Sequence, residues 1–177
     1  MASAIHILNA SSLAEDRLQE LSQAVGRAFG LRSYVTPAQL NLDRAFDASR
    51  GQYNSTALLA QLVKTYSDTD EKKIAVVEVD LFIPVLTFVF GEAQLRGIAA
   101  VVSTHRLANP FYGLQENQTL SFDRLEKEVV HELGHTFGLF HCHQFECVMR
   151  SSTYVEEIVL KRVSLCADCS AKLETGR

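Results

Sequence analysis

The stretch Ser121-Phe122-Asp123-Arg124-Leu125-Glu126-Lys127-Glu128-Val129-Val130-His131-Glu132-Leu133-Gly134-His135-Thr136-Phe137-Gly138-Leu139-Phe140-His141 governs how this chain is read. Phe122, Leu125, Val129, Leu133 and Phe137 recur at spacings of three and four, the period of a helix with one apolar ridge, and the ridge predicts packing on a sheet. The helix is expected from Ser121, with Asp123 in its first turn, where a negative charge meets the positive end of the helix dipole. At roughly 100° per residue, His131 and His135 face away from that ridge, about one turn apart, so both imidazoles can reach one ion. Glu132 lies roughly 100° around the axis from His131, beside such an ion rather than in line with its ligands. A proton acceptor belongs there.

A helix continued to His141 would carry that side chain roughly 9 Å beyond His135 and onto another face. Gly138 removes the difficulty, because glycine accepts the left-handed conformation that ends a helix and turns the chain. His141 can then return to the same ion. Three neutral imidazoles leave a fourth position for water, the arrangement of a catalytic zinc. Zinc there lowers the pKa of its water towards about 7, and Glu132 would take the proton and pass it to a leaving amine. The alternative is an amphipathic helix with surface histidines. Arg124 and Glu128 fall near the histidine face, as partners of the site or as elements of a solvated surface. His143 is read as a loop residue, and His6 and His105 as structural. Arg106 has no assignment.

All four cysteines follow His141. Cys142-x₄-Cys147 and Cys166-x₂-Cys169 both fit the spacing of thiolate zinc ligands, with about 18 residues between the pairs. Four thiolates close a coordination shell to water, so the site they predict is structural. It would staple a C-terminal segment with little apolar material of its own to the wall of a cleft. Two disulfides, in any of three pairings, are the alternative. Cys142 directly follows His141, and adjacent side chains of extended chain diverge, so the two ions should be neighbours with separate shells.

Around this core the chain is ordinary: 177 residues, 47% apolar and 21% charged, which is enough for a buried interior. The net charge of −4, without a basic block, argues against nucleic acid or an anionic membrane as partner. Apolar runs at 81–90 and 98–102 are too short to span a bilayer. The first nine residues lack the basic start, long apolar stretch and cleavage site of a secretion signal, so the cytoplasm is the expected location and reduced thiols the expected state.

Strands are expected at 5–8, 32–35, 74–79, 87–90 and 98–103. Ser12, with Glu15 completing a capping box, should open a first helix through Leu18, Leu21, Val25 and Phe29 that stops at Gly30. A second helix carries Leu58, Leu59, Leu62, Val63 and Tyr66 and is capped near Asn54 or Ser55, after an irregular stretch over 41–52. The order β-α-β-α-β-β-β followed by the histidine helix predicts a sheet with helices packed on it. One domain, 1–177, is expected. It divides into an N-terminal subdomain, residues 1–138, with the histidine helix, and a C-terminal subdomain, residues 139–177, with the cysteines.

The string His131-Glu132-x-x-His135-x-x-Gly138-x-x-His141-Cys142-x₄-Cys147-x-Met149, followed by Cys166-x-x-Cys169, closely resembles the archaemetzincins, small metzincin-clan proteins with a second, four-cysteine zinc site. The resemblance covers Val130 to Cys169. It implies an α+β (mixed α/β), zincin-like fold: a twisted mixed sheet on helices, the active-site helix across the cleft floor, and a short zinc-stapled C-terminal subdomain. It implies two zinc ions per chain, catalytic on His131, His135 and His141, structural on Cys142, Cys147, Cys166 and Cys169. Met149, by itself a core methionine, becomes the Met-turn residue beneath the catalytic zinc. The gap from Met149 to Cys166 is one residue shorter than the commonest family spacing, which a loop absorbs.

Some metzincins place a tyrosine just after this methionine. Here that position is Ser151, and nearby Tyr154 is read as a packing residue. The activity implied is zinc-dependent hydrolysis of a peptide or protein by a monomer. The peptide would pair with an exposed strand edge above the helix, for which 97–103 is the expected segment. A zinc amide or ester hydrolase acting on small molecules is one competing reading. A non-catalytic protein-binding module built on the cysteine site is another, and it leaves Glu132 without purpose.

Overall fold

The computed structural model describes residues 2–67 and 70–175. The chain begins with β1 (Ala4–Ala10), α1 (Glu15–Phe29) and β2 (Arg32–Pro37), and continues through β3 (Phe46–Asp47), β4 (Gln52–Asn54) and α2 (Ser55–Thr65). β5 (Lys72–Val77), β6 (Leu81–Phe82), β7 (Gly91–Ala93) and β8 (Ala99–Ser103) follow, then α3 (Gln118–Thr136), α4 (Val155–Val159) and α5 (Ala167–Thr175). The main sheet has the order β2-β1-β5-β8-β7, parallel except for β7, which runs antiparallel to β8 at one edge. This is the mixed α/β architecture the sequence implied.

Strand alternation feeds two cores. Ile5, Ile7, Ile74, Val76, Ala100 and Val102 point to the side of α1 and α3, while Leu8, Ala75, Val77, Ala99 and Val101 point to α2. Both faces of the sheet are therefore covered, which is why the central strands are apolar runs rather than alternating ones.

Several local expectations shift. Gly30 ends α1 in the left-handed region, as expected, at φ 60°. Ser12 does not cap α1; the helix opens after Ala14, and the Ser12 N–H and hydroxyl donate instead to Glu78 at 2.9 and 2.7 Å. Asn54 caps α2 by accepting the Ala57 N–H. α3 opens before Ser121, because Asn117 accepts the Leu120 N–H at 3.0 Å. Asp123 thus falls beyond the first turn, where it pairs with Lys127. Residues 41–52 hold a short 3₁₀ turn and the start of a small sheet, β3-β4-β6.

The expected strand at 87–90 is a rim loop. A turn after Ile83 closes over Pro84 and leaves Val85 84% exposed, and among the described residues the loop's isolated bridge joins Val89 to Leu81. The loop is held from behind: Arg50 donates to the carbonyls of Leu86 (2.8 Å) and Thr87 (3.1 Å), and Gln52 donates to Thr87. Glu92 of β7 accepts from the hydroxyls of Ser55 and Thr56, tying the edge strand to the start of α2. The segment 97–103 offers no free edge, since β8 lies buried between β5 and β7. The edge belongs to β7.

Arg106 also finds its role. Its guanidinium grips Asp80 with two nitrogens and lies 4.2 Å from the Phe88 ring and 4.6 Å from the Phe111 ring. Burial pushes the Asp80 carboxyl up, but hydrogen bonds from Arg106 and Gln52 outweigh it and hold it below its ordinary value. A carboxyl lowered by folding stabilises above its unfolded pKa of about 4, and the contribution disappears as pH falls through the folded value. Asp80→Asn is therefore expected to lower the melting temperature at neutral pH, with the gap to wild type closing below about pH 4. A gap independent of pH would show that the ionised pair contributes nothing.

Candidate metal centre

α3 carries its two histidines to the point where the helix must stop. At that end the Leu139 N–H bonds to the Gly134 carbonyl at 3.0 Å, the Gly138 N–H bonds to that of His135 at 2.9 Å, and Gly138 takes φ 91°. These bonds close a Schellman-type end, with glycine in the left-handed position. The chain turns, and His141 comes back over the helix. One ligating nitrogen from each of His131, His135 and His141 lies within 4.8 Å of the others.

Two backbone carbonyls orient the rings. His131 Nδ1 donates to Val148 O at 2.8 Å and His135 Nδ1 to Leu139 O at 2.7 Å. A carbonyl only accepts, so each Nδ1 carries the proton and each Nε2 presents a bare lone pair. Those two Nε2 atoms are 3.1 Å apart. Two lone pairs at that distance repel unless a cation lies between them, and tetrahedral zinc with ordinary Zn–N bonds sets its nitrogens roughly 3.3 Å apart. The donor set fits the ion. Burial lowers the pKa of all three histidines, that of His131 most strongly, and Lys161 adds to the effect, so the rings stay neutral as ligands must.

Glu132 is buried beside this point and lines the same cleft. Burial first, and then Glu128, raise its pKa well above the carboxylate range. Its Cγ rests against Gly91 of β7, where an added methyl would come within 2.7 Å of it. Met149 is fully buried beneath α3, with its sulfur where a side chain at Gly134 would otherwise stand.

The four cysteines gather on the other side of His141. All are free, their sulfurs lie within 4.8 Å of one another, and Cys142 Sγ is 3.7 Å from Cys166 Sγ. That separation is too long for a disulfide and close to the roughly 3.8 Å edge of a zinc–thiolate tetrahedron. The N–H groups of Gln144 and Cys166 point at Cys142 Sγ and Cys147 Sγ, both at 3.4 Å. Burial pushes the Cys147 and Cys169 thiols up, so four thiolates need a cation among them.

Two expectations about surroundings change. Arg124 and Glu128 are not a solvated surface: Arg124 donates to Leu107 O and Asn109, and Glu128 accepts from Lys161 at 3.0 Å in a pair closed off from solvent. Tyr154 does not pack; it is 65% exposed. His143 is an exposed loop residue, His6 bonds to Thr36 and stacks on Tyr34, and His105 meets Phe111 edge-on. Lys161 carried no sequence signal, since nothing in residues 155–165 marks one lysine for burial.

A Lewis acid on three neutral nitrogens, with a proton acceptor alongside and an open strand edge above, is the equipment of a zinc metallopeptidase. Comparison with known proteins agrees: the chain belongs to peptidase family M54, whose model matches residues 16–175. It is 36% identical over 160 residues to the archaemetzincin of Methanocaldococcus jannaschii, covering 90% of this chain and 87% of the relative. The structure of archaemetzincin from Archaeoglobus fulgidus, solved with malonate, superposes with a TM-score of 0.80 at 35% identity, covering 96% of this chain and 99% of that one. A zinc-dependent peptidase from Methanocorpusculum labreanum superposes at 0.86 with 28% identity, covering 96% and 100%.

Gly134→Ala is expected to cost about 1–3 kcal/mol of stability, read by denaturant unfolding, because its methyl would take the place of the Met149 sulfur. An unchanged unfolding midpoint would mean that the methionine is free to move aside.

Proposed function

We propose that the chain hydrolyses peptide bonds with a zinc ion on His131, His135 and His141, with Glu132 as general base. A second zinc on Cys142, Cys147, Cys166 and Cys169 holds the C-terminal subdomain in place. The observation that carries this reading is the facing pair of unprotonated Nε2 atoms at 3.1 Å, with His141 completing the set. His131, His135 and His141 would hold the zinc, which would supply Lewis-acid chemistry to the scissile carbonyl and to an attacking water. Glu132, buried beside that point and lining the same cleft, would take a proton from the attacking water and return it to the leaving amine.

The peptide lies along β7. Phe90 and Gln94 bond inward to β8, so by alternation Gly91 and Ala93 turn their N–H and C=O groups outward. Because Glu132 rests against Gly91, a peptide paired there passes its backbone over the base. Met149 serves as the Met-turn residue, an apolar support under the histidine helix, and Gly138 as the turn that returns His141.

We read residues 1–177 as one catalytic domain, with an N-terminal subdomain over 1–138 and a C-terminal subdomain over 139–177. One apolar core running from Ile5 of β1 to Leu173 of α5 supports this. The protein is read as a monomer of the cytoplasm, where free cysteines persist. No helix among the described residues is long and apolar enough to cross a membrane.

Elemental analysis of the purified chain should find two zinc ions, and Cys166→Ser should lose one of them. Glu132→Gln should keep both and lose about a thousandfold or more in the rate of peptide cleavage. Cleavage that survives Glu132→Gln would end the mechanism. A zinc-loaded wild type that cleaves no member of an unbiased peptide library would favour a binding module.

A further inference from the structure

A cavity of about 360 Å³ opens beside Glu132, between the rim loop and residues 151–153 that follow Met149. Its walls include apolar rim residues such as Leu86 and Phe88, but the groups at its base are polar. Glu128 lines it. Oε1 of that carboxylate accepts from Lys161 Nζ at 3.0 Å, while Oε2 has no partner among the described residues. Lys161 does not line the cavity and spends a further hydrogen on Arg150 O at 3.1 Å. Ser152 lines it too, and its Oγ is buried without a hydrogen-bond partner.

Ser152 Oγ lies beneath the wall, out of reach of solvent, so the open polar atom is Glu128 Oε2. An apolar side chain entering the cavity would strip water from Glu128 Oε2 and replace it with nothing, and leaving a buried polar group unpaired is costly. A carboxylate would set acceptor against acceptor. An amide or a cationic side chain supplies what the carboxylate lacks. We propose that this cavity selects substrates whose side chain next to the cleaved bond donates hydrogen bonds, such as Gln or Lys, with Glu128 as the residue that reads it.

For a peptide that pairs antiparallel with β7, the slightly more stable pairing per residue, the direction is set. The rim loop precedes Gly91, so a peptide antiparallel to β7 passes the cavity with the segment that follows the bond held over Glu132. The selected residue is thus the first on the leaving-amine side. This assignment rests on the peptidase reading for its place in the reaction, though the cavity's preference can be measured without turnover.

The test uses the zinc-loaded full chain and two probes. One is a set of peptides differing only in Gln, Lys, Met or Glu after a common scissile bond. The other is a set of zinc-chelating hydroxamates bearing the same four side chains after the chelating group, titrated calorimetrically. Gln and Lys should exceed Glu by about tenfold or more, in cleavage efficiency and in affinity, with Met between them. Glu128→Gln should bring the Gln-to-Glu ratio towards one. Because that change leaves Lys161 buried opposite a neutral group and could unfold the chain, the second variant joins Glu128→Gln with Lys161→Met; it removes both charges together and should narrow the same ratio in a chain whose melting temperature shows it folded.

Equal affinities, tightest binding by Met or Glu, or an unchanged ratio in a folded Glu128 variant would overturn the proposal. Selective hydroxamate binding without cleavage of any peptide would uphold the cavity assignment and sink peptide hydrolysis instead. Cleavage without selectivity would do the reverse.

Discussion

Val148 O and Leu139 O each take the Nδ1 proton of one histidine, and the rest of the centre follows from those two hydrogen bonds. Without them an imidazole exchanges tautomers and turns about its own axis. With them, both rings present a bare nitrogen to the same point. Leu139 is available because the helix ends at Gly138, and Val148 because the chain returns under α3 after the first cysteine pair. The turn that brings His141 home thus also locks His135.

The second cluster is not separable from the first. Within three residues, Cys147 contributes a sulfur, Val148 orients His131, and Met149 both packs under Gly134 and accepts the Cys142 N–H at 2.9 Å. A segment with few apolar side chains is held in register by the cysteine cluster at one end and, at the other, by the hydrogen bond that His131 Nδ1 of α3 donates to Val148 O. Lys161 adds a third tie, joining the Arg150 carbonyl to Glu128 in a place where a lone charge would be very costly.

Legibility in the sequence divides along a physical line. Periodic features were readable: the ridge Phe122, Leu125, Val129 and Leu133 is buried as the spacing requires, and Gly30 and Gly138 sit in the left-handed region where helices end. The convergence of His131, His135 and His141, and of the four cysteines, was readable because ligand spacing is local. What depended on distant partners was not. Ser12 has the pattern of a cap but meets Glu78 across the fold, and 87–90 has the composition of a strand but is pulled into a loop by Arg50 and Gln52. The identity of the free edge was hidden for the same reason, since burial of 99–103 is decided by β7 folding back outside it. Lys161 looks like a surface residue until the Met149 segment closes over it.

His141 and Cys142 are neighbours in the chain yet face different clusters, with no spacer residue between them. Between these two residues the polypeptide cannot be lengthened or cut without upsetting one cluster through the other. The natural unit of exchange, in evolution or in a chimera, is accordingly the whole cassette from the first histidine to the last cysteine, and crossovers should fall outside it.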